Sequence, residues 1–163
     1  MMKKLIIALA LAIVCLSFAL AQARSVVYGG GQLILSGGDT KSIGAATFAD
    51  IGVELNPGLY PRMVAWGQYD ATKTGEAIDI DNVAGGITYL TEQLVPKAKM
   101  GAFLTVGAGG GKVEGEKSKF SVLSSLGIYF DLKEKTQIQF GVGALNVGDF
   151  TTYGLKLGLA IYH

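Results

Sequence analysis

The sequence predicts an all-β chain: one closed, eight-stranded, antiparallel up-and-down barrel that crosses a membrane. Three observations carry that prediction. Beyond residue 23, apolar side chains recur at every second position, the periodicity of a pleated strand rather than of an amphipathic helix. The alternating segments number eight and run for about 10 to 13 residues, near the roughly 9 to 11 that a tilted strand needs to cross a bilayer and about twice the ordinary strand length. All 24 glycines follow residue 23, scattered among Val, Ile, Leu and aromatics without a fixed period, which excludes collagen-like and disordered chain.

The first 23 residues stand apart from this pattern. MMKKLIIALALAIVCLSFALAQA opens on Lys3 and Lys4, continues through an apolar run from Leu5 to Leu20 and leaves through Ala21-Gln22-Ala23. These are the parts of a secretory signal peptide, and the run is shorter than the roughly 20 residues of a spanning helix. The expected division is therefore a signal peptide over 1–23 and one domain over 24–163. Cys15 follows Val14 rather than a small residue, which argues against lipidation. It is also the single cysteine, so the exported domain must hold together without a disulfide. Once Lys3 and Lys4 are removed, the 14 Lys and Arg become twelve against 13 Asp and Glu, a balance that disfavours nucleic acid as a partner.

Taken in order, the first segment, Ser25 to Ser36, contains YGGGQ, whose facing is unreadable because glycine has no side chain to alternate. In the second, Ile43 to Leu55, the odd positions Ile43, Ala45, Ala49, Ile51 and Val53 oppose Ala46, Phe48, Asp50 and Glu54. The third, Arg62 to Ala71, sets Met63, Ala65, Gly67 and Tyr69 against Arg62, Val64, Trp66, Gln68 and Asp70. The fourth, Asn82 to Glu92, sets Val83, Gly85, Ile87 and Tyr89 against Ala84, Gly86, Thr88 and Glu92. In the fifth, Lys99 to Gly110, Met100, Ala102, Leu104 and Val106 oppose Lys99, Gly101, Phe103 and Thr105. The sixth, Lys119 to Leu132, and the seventh, Gln137 to Leu145, place Ser125, Gly127, Tyr129, Asp131, Gln137 and Gln139 opposite Phe120, Val122, Leu126, Ile138, Phe140 and Val142. The eighth, TYGLKLGLAIYH at 152–163, sets Tyr153, Leu155, Leu157, Leu159 and Ile161 against Gly154, Lys156, Gly158 and Ala160.

The connectors fall into two classes. Those at 56–61, 94–99 and 131–136 read as tight reversals, whereas those at 36–42, 71–82 and 109–119 are more polar and include the two longest; 146–151 is short. Short turns alternating with polar loops are the pattern of bacterial outer-membrane barrels, turns toward the periplasm. Because backbone groups cannot be left unpaired in lipid, the eighth segment must pair with the first and close the sheet. Leu155, Leu157, Leu159 and Ile161 then meet hydrocarbon, and Lys156 and Gly158 point inward.

On these segments the chain resembles the small eight-stranded outer-membrane proteins, the group of OmpA/OmpX-type barrels. The most specific element is KLGLAIYH, 156–163, which is similar to the group's C-terminal assembly signal: Lys156, Gly158 and Ile161 match, while His163 stands where an aromatic is usual. The resemblance implies residence among outer-membrane lipids of a two-membrane bacterium after export, and recognition of the last strand by the assembly machinery. Tyr60 and Phe130 near the turns, with Tyr69, Phe120 and Tyr153 near the loops, either form two aromatic girdles or reflect the ordinary preference of aromatics for strands.

The inward face gathers Asp50, Glu54, Arg62, Asp70, Glu92, Lys99, Asp131 and Lys156, with Trp66, Phe48, Phe103 and Arg62 to fill the gaps that inward glycines leave. Asp50, Glu54, Arg62, Trp66, Asp70, Lys99, Asp131 and Lys156 are thus the candidate lumen residues. Charges at membrane depth demand partners, and eight strands enclose a space that side chains just fill, which suggests a plug. The many small inward residues, Gly44, Gly86, Gly127 and Gly141 among them, equally allow a narrow cavity.

Catalysis fares badly on this sequence. Enzymes of the barrel class rely on a histidine near the outer rim, but the single histidine here is His163, so no Ser/His/Asp relay is expected. GAGGGKV, 107–113, lacks the glycine spacing of a phosphate loop and a Ser or Thr after Lys112. Glu76, Asp79 and Asp81 lack the glycine and terminal glutamate of a calcium loop, and no Cys/His cluster suits zinc. No cofactor or metal is expected. The favoured role is structural or surface-interactive, with a narrow solute pore or lumenal pocket as the alternative. A soluble secreted barrel holding an apolar ligand is the third reading, and it would need Leu155 inside and Lys156 outside.

Overall fold

The computed structural model describes residues 24–37, 44–57, 59, 61–74 and 79–163. The expected signal peptide, Tyr60, Glu76 and most of the first loop lie outside the described residues. Eight strands follow one another: β1 (Arg24–Gly37), β2 (Gly44–Glu54), β3 (Arg62–Thr74), β4 (Asp79–Leu90), β5 (Met100–Val113), β6 (Lys119–Lys133), β7 (Thr136–Val147) and β8 (Phe150–Tyr162). Each pairs antiparallel with its neighbours in sequence, and β1 pairs with β8 from Val26↔Tyr162 to Gly37↔Thr152, closing the barrel.

The two parities separate as their chemistry requires. Along β8, Leu155, Leu157, Leu159 and Ile161 are outward and exposed, whereas Gly154, Lys156, Gly158 and Ala160 are buried. The outward apolar series Tyr153 to Ile161 spans nine residues, which at about 3.4 Å per residue and a tilt near 40° covers about 20–25 Å, the height of a bilayer's apolar band. Tyr69, Phe120 and Tyr153 stand exposed toward one edge of this band, with Tyr89, Phe130 and Phe140 on the other half of the wall. β1, unreadable from sequence, turns Val26, Tyr28 and Ile34 inward, and its register with β8 shifts between Ile34 and Ser36.

Inside, bulky side chains lie over glycines of the adjacent strands. Four inward glycine pairs face one another across neighbouring strands: Gly30↔Gly158, Gly86↔Gly107, Gly127↔Gly141 and Gly143↔Gly154. Phe48 and Tyr28 cover the first, the Trp66 indole spans the second, Phe103 lies on Gly127, and Gln32 fills the space at the fourth. A Cβ at Gly86 would stand 2.6 Å from Trp66 Cζ2 and 2.2 Å from the Val106 carbonyl oxygen. Ring and glycine are complementary volumes, the cross-strand device that also relieves the curvature of a small barrel.

Several connectors differ from expectation. The segment 71–82 is mostly strand, since β3 runs to Thr74 and β4 begins at Asp79, and β5 carries on to Val113 so that only 114–118 bridge to β6. The pattern inverts there because the wall has left the apolar band: Asp81 and Lys112 face outward and Ile80 and Val113 inward, while the hydrogen-bonded ladder continues. The connector expected to be tight at 94–99 is instead a longer excursion over 91–99 with a 3₁₀ turn, Pro96–Ala98, closed by Lys99 in left-handed backbone (φ 51°). β7 and β8 are joined by Gly148-Asp149, with Gly148 at φ 60°, the positive φ at the first central position that a II′ hairpin demands.

Gly86→Ala should lower stability by about 1–3 kcal/mol through overpacking against backbone and indole. Gly67→Ala, outward with nothing within 4 Å of the added methyl, should stay within about 0.5 kcal/mol. Urea unfolding of both variants in lipid vesicles checks the contrast; equal losses would refute the packing argument.

Candidate functional site: the barrel interior

Two apolar clusters divide the lumen. Near the end where β1 starts and β8 finishes, Val26, Tyr28, Phe48, Val64, Leu90, Phe103, Tyr129 and Tyr162 pack together. Toward the opposite end, Trp66, Ile80, Val113, Leu123, Leu145 and Val147 form the second cluster. Polar side chains occupy the positions between and beside them. Lys156 is 4 % exposed, its ammonium 4.1 Å from the centroid of Phe48 and 5.3 Å from that of Tyr28. Asp50 and Asp70, both buried, feel its charge. A desolvated cation over an aromatic face gains about 2 kcal/mol, which offsets part of the cost of burying an ammonium.

The hydrogen-bond donors are spent on the carboxylates and on one another. Asp70 accepts from Gln68 Nε2 and, at 3.0 Å, from Asn82 Nδ2; Asn82 Oδ1 in turn accepts from Ser121 Oγ at 2.5 Å. Trp66 donates its indole N–H to Thr88 Oγ1 at 3.1 Å, and the Thr88 and Thr105 hydroxyls bond at 2.8 Å. Gln139 donates to Gln137 Oε1 (2.9 Å), and Gln137 donates to Asp131 Oδ1 (2.9 Å). At the end of the barrel Arg62 pairs with Glu54 through Nε and Oε1, and its guanidinium stacks 4.6 Å from the centroid of Tyr162.

Midway along the lumen the space beside Lys156 is small. A cavity of about 20 Å³ lies among Gln32, Gln68, Asp70, Ser125, Thr152 and Lys156, room for about one water molecule. Gln68 Oε1 and Ser125 Oγ, which line it, have no protein partner. Among the described residues there is no group of three or more His, Cys, Asp and Glu side chains placed to hold a metal.

Of the candidate lumen residues, Asp50, Glu54, Trp66, Asp70 and Lys156 are buried inside, and Arg62 and Asp131 are half-buried toward one end. Lys99 is a correction: it is exposed at the end of the 3₁₀ turn, because the connector leaves the wall before β5 begins. Glu92 likewise sits exposed in that connector rather than facing the lumen. The reading of Lys156 and Gly158 as inward and Ile161 as outward agrees with the structure. Sequence reasoning missed Tyr28 and Tyr162. Tyr28 is hidden by the glycine run beside it, and Tyr162 lies on the inward parity of β8, opposite Ile161, a position from which its placement could have been read.

No protein-family model matches the sequence, and no curated protein aligns with it. Solved structures do match in fold. Neisserial surface protein A superposes with a TM-score of 0.65 at 11% identity, covering 85% of this chain and 97% of the neisserial one. Ail, the attachment invasion locus protein of Yersinia pestis, superposes with a TM-score of 0.53 at 18% identity, over 86% of this chain and 98% of Ail. The fold is thus that of the closed, eight-stranded, antiparallel transmembrane β-barrels. Its structural neighbours are small outer-membrane proteins of bacteria.

Lys156→Met keeps most of the length of the side chain but removes the ammonium from over Phe48 and Tyr28 and from the neighbourhood of Asp50 and Asp70, and should cost about 1–3 kcal/mol. Adding Asp50→Asn should restore a substantial part of that loss, and a double-mutant cycle on urea unfolding checks the coupling. Strict additivity would show that the three side chains do not act together.

Proposed function

We propose that this protein is an integral outer-membrane barrel with no catalytic site, a filled and non-conducting anchor whose role is structural or exercised through its surface. The observation that carries this reading is the packed lumen. Two apolar clusters and the hydrogen-bonded chains beside them occupy the middle of the lumen, where the cavity beside Lys156 is about 20 Å³. That filling counts against the solute-pore reading. The apolar outer parity and inward Lys156 count against a soluble barrel with a greasy interior, which needs the reverse. The bacterial outer-membrane origin of the structural neighbours supports the location. Ail has been crystallised with a heparin analogue, sucrose octasulfate, a precedent for surface interaction on this architecture.

In this reading the export segment 1–23 is removed, and the last strand, through Lys156, Gly158 and Ile161, is what the assembly machinery recognises. Surface contacts fall to the rim beyond the apolar band. There Lys73 pairs with Asp79 at 3.7 Å, and Lys119 with Glu116 at 2.7 Å.

Single-cysteine variants at Leu157 and Val142 should report hydrocarbon when labelled in refolded vesicles, and one at Lys156 should not. The protein should run with heat-dependent mobility on detergent gels, be recovered with membranes, and insert without conductance in planar bilayers, as should Arg62→Ala. Recovery as a soluble monomer, or reproducible channels, would overturn the assignment.

A further inference from the structure

At the end of the barrel where β1 begins and β8 finishes, the connectors surround an open vestibule of about 750 Å³. That is the size of a small-molecule site. Its charges are sorted by depth. Exposed Arg24, Lys99, Lys133 and Lys135 form a basic rim, in which Glu134 is the exposed acidic side chain and His163 also takes part. Deeper in, the carboxylates of Glu54 and Asp131 lie beside Arg62. Asp131 is served on both oxygens, by Gln137 and by Gln93 at 3.1 Å. Glu54 is not: its side chain is 1 % exposed, Oε1 pairs with Arg62, and Oε2 has no hydrogen-bond partner. A buried carboxylate oxygen lacking a donor is the kind of group a ligand satisfies.

We propose that this vestibule binds a small zwitterion, a primary ammonium a few bonds from a carboxylate or phosphate. The ammonium donates to Glu54 Oε2, and the anionic group rests against Lys133 and Lys135. A simple anion would satisfy the rim and leave Glu54 unserved. A simple cation would have to pass four basic side chains to reach it. Only a ligand carrying both charges matches both layers. The same chemistry is found in a free amino acid or dipeptide and in an ethanolamine phosphate headgroup.

The test uses full-length mature protein refolded in a non-ionic maltoside detergent and titrated with glycylglycine, phosphoethanolamine, inorganic phosphate and methylammonium, followed by amide resonances and calorimetry. Both zwitterions should saturate in the millimolar range, with phosphate about tenfold weaker and methylammonium silent. Glu54→Gln should weaken the zwitterions about tenfold and leave phosphate unchanged. Lys133→Glu with Lys135→Glu, at exposed positions where folding is not at stake, should weaken zwitterions and phosphate alike. Phosphate binding as tightly as phosphoethanolamine, no change in either variant, or no saturation by about 50 mM, would overturn the proposal. In nanodiscs containing phosphatidylethanolamine, loss of glycylglycine binding would identify the headgroup as the occupant, and its retention would identify a soluble amino acid or dipeptide.

Discussion

The width of the interior governs this molecule. Eight strands leave a lumen that side chains fill, so each large inward ring needs a neighbour that contributes almost no volume. Glycine is that neighbour. Phe48, Trp66, Phe103 and Tyr129 each lie on a glycine of an adjacent strand, and Tyr28 lies on Gly158. The glycines that face one another across β4 and β5, or across β6 and β7, are the floor on which the rings rest. A composition rich in glycine, which in another setting would mean a pliable chain, is here the counterpart of dense packing.

The rings in turn decide how charge is tolerated. Both inward cations of the described barrel, Lys156 and Arg62, stand over aromatic faces, so each has an attractive surface in place of lost water. The carboxylates are held differently. Asp70 and Asp131 draw on amides from two residues each, and Asp50 and Asp70 share the influence of one lysine. Breaking the Phe48–Gly30 or Tyr28–Gly158 contact therefore disturbs electrostatics as well as volume, because the ring that moves is one that faces the Lys156 ammonium.

Much of this was legible in the alternation of side chains. Wherever one parity is greasy and the other is not, as in β2, β3 and β8, facing follows from the pleat, and Asp50, Glu54, Trp66 and Lys156 could be placed inside from that alone. Strand ends were not legible at 72–74, 79–81 and 111–113, since beyond the apolar band the outward parity turns polar (Lys73, Asp81, Lys112) while Ile80 and Val113 stay inward and the ladder goes on. Lys99 was misplaced because its alternation with Met100 is coincidental: a proline-led 3₁₀ turn precedes it. That Trp66, Phe48 and Phe103 fill gaps left by inward glycines was legible, but which glycine each ring covers was not. It depends on which residues stand opposite one another across strands, and register cannot be read from one strand at a time.

Closure of the barrel has a kinetic side. Seven of the eight strand pairs join segments consecutive in sequence, several through turns of a few residues, and each closes a short loop at small entropic expense. The β1–β8 seam joins residues near opposite ends of the described chain and carries the one contact set of very high sequence separation. On its β1 side stands the run Gly29-Gly30-Gly31, where side chains add little to the wall. Topology and composition thus place the last long-range closure and the least bulky stretch of wall on the same line, making that seam the natural site for a nascent sheet to shut.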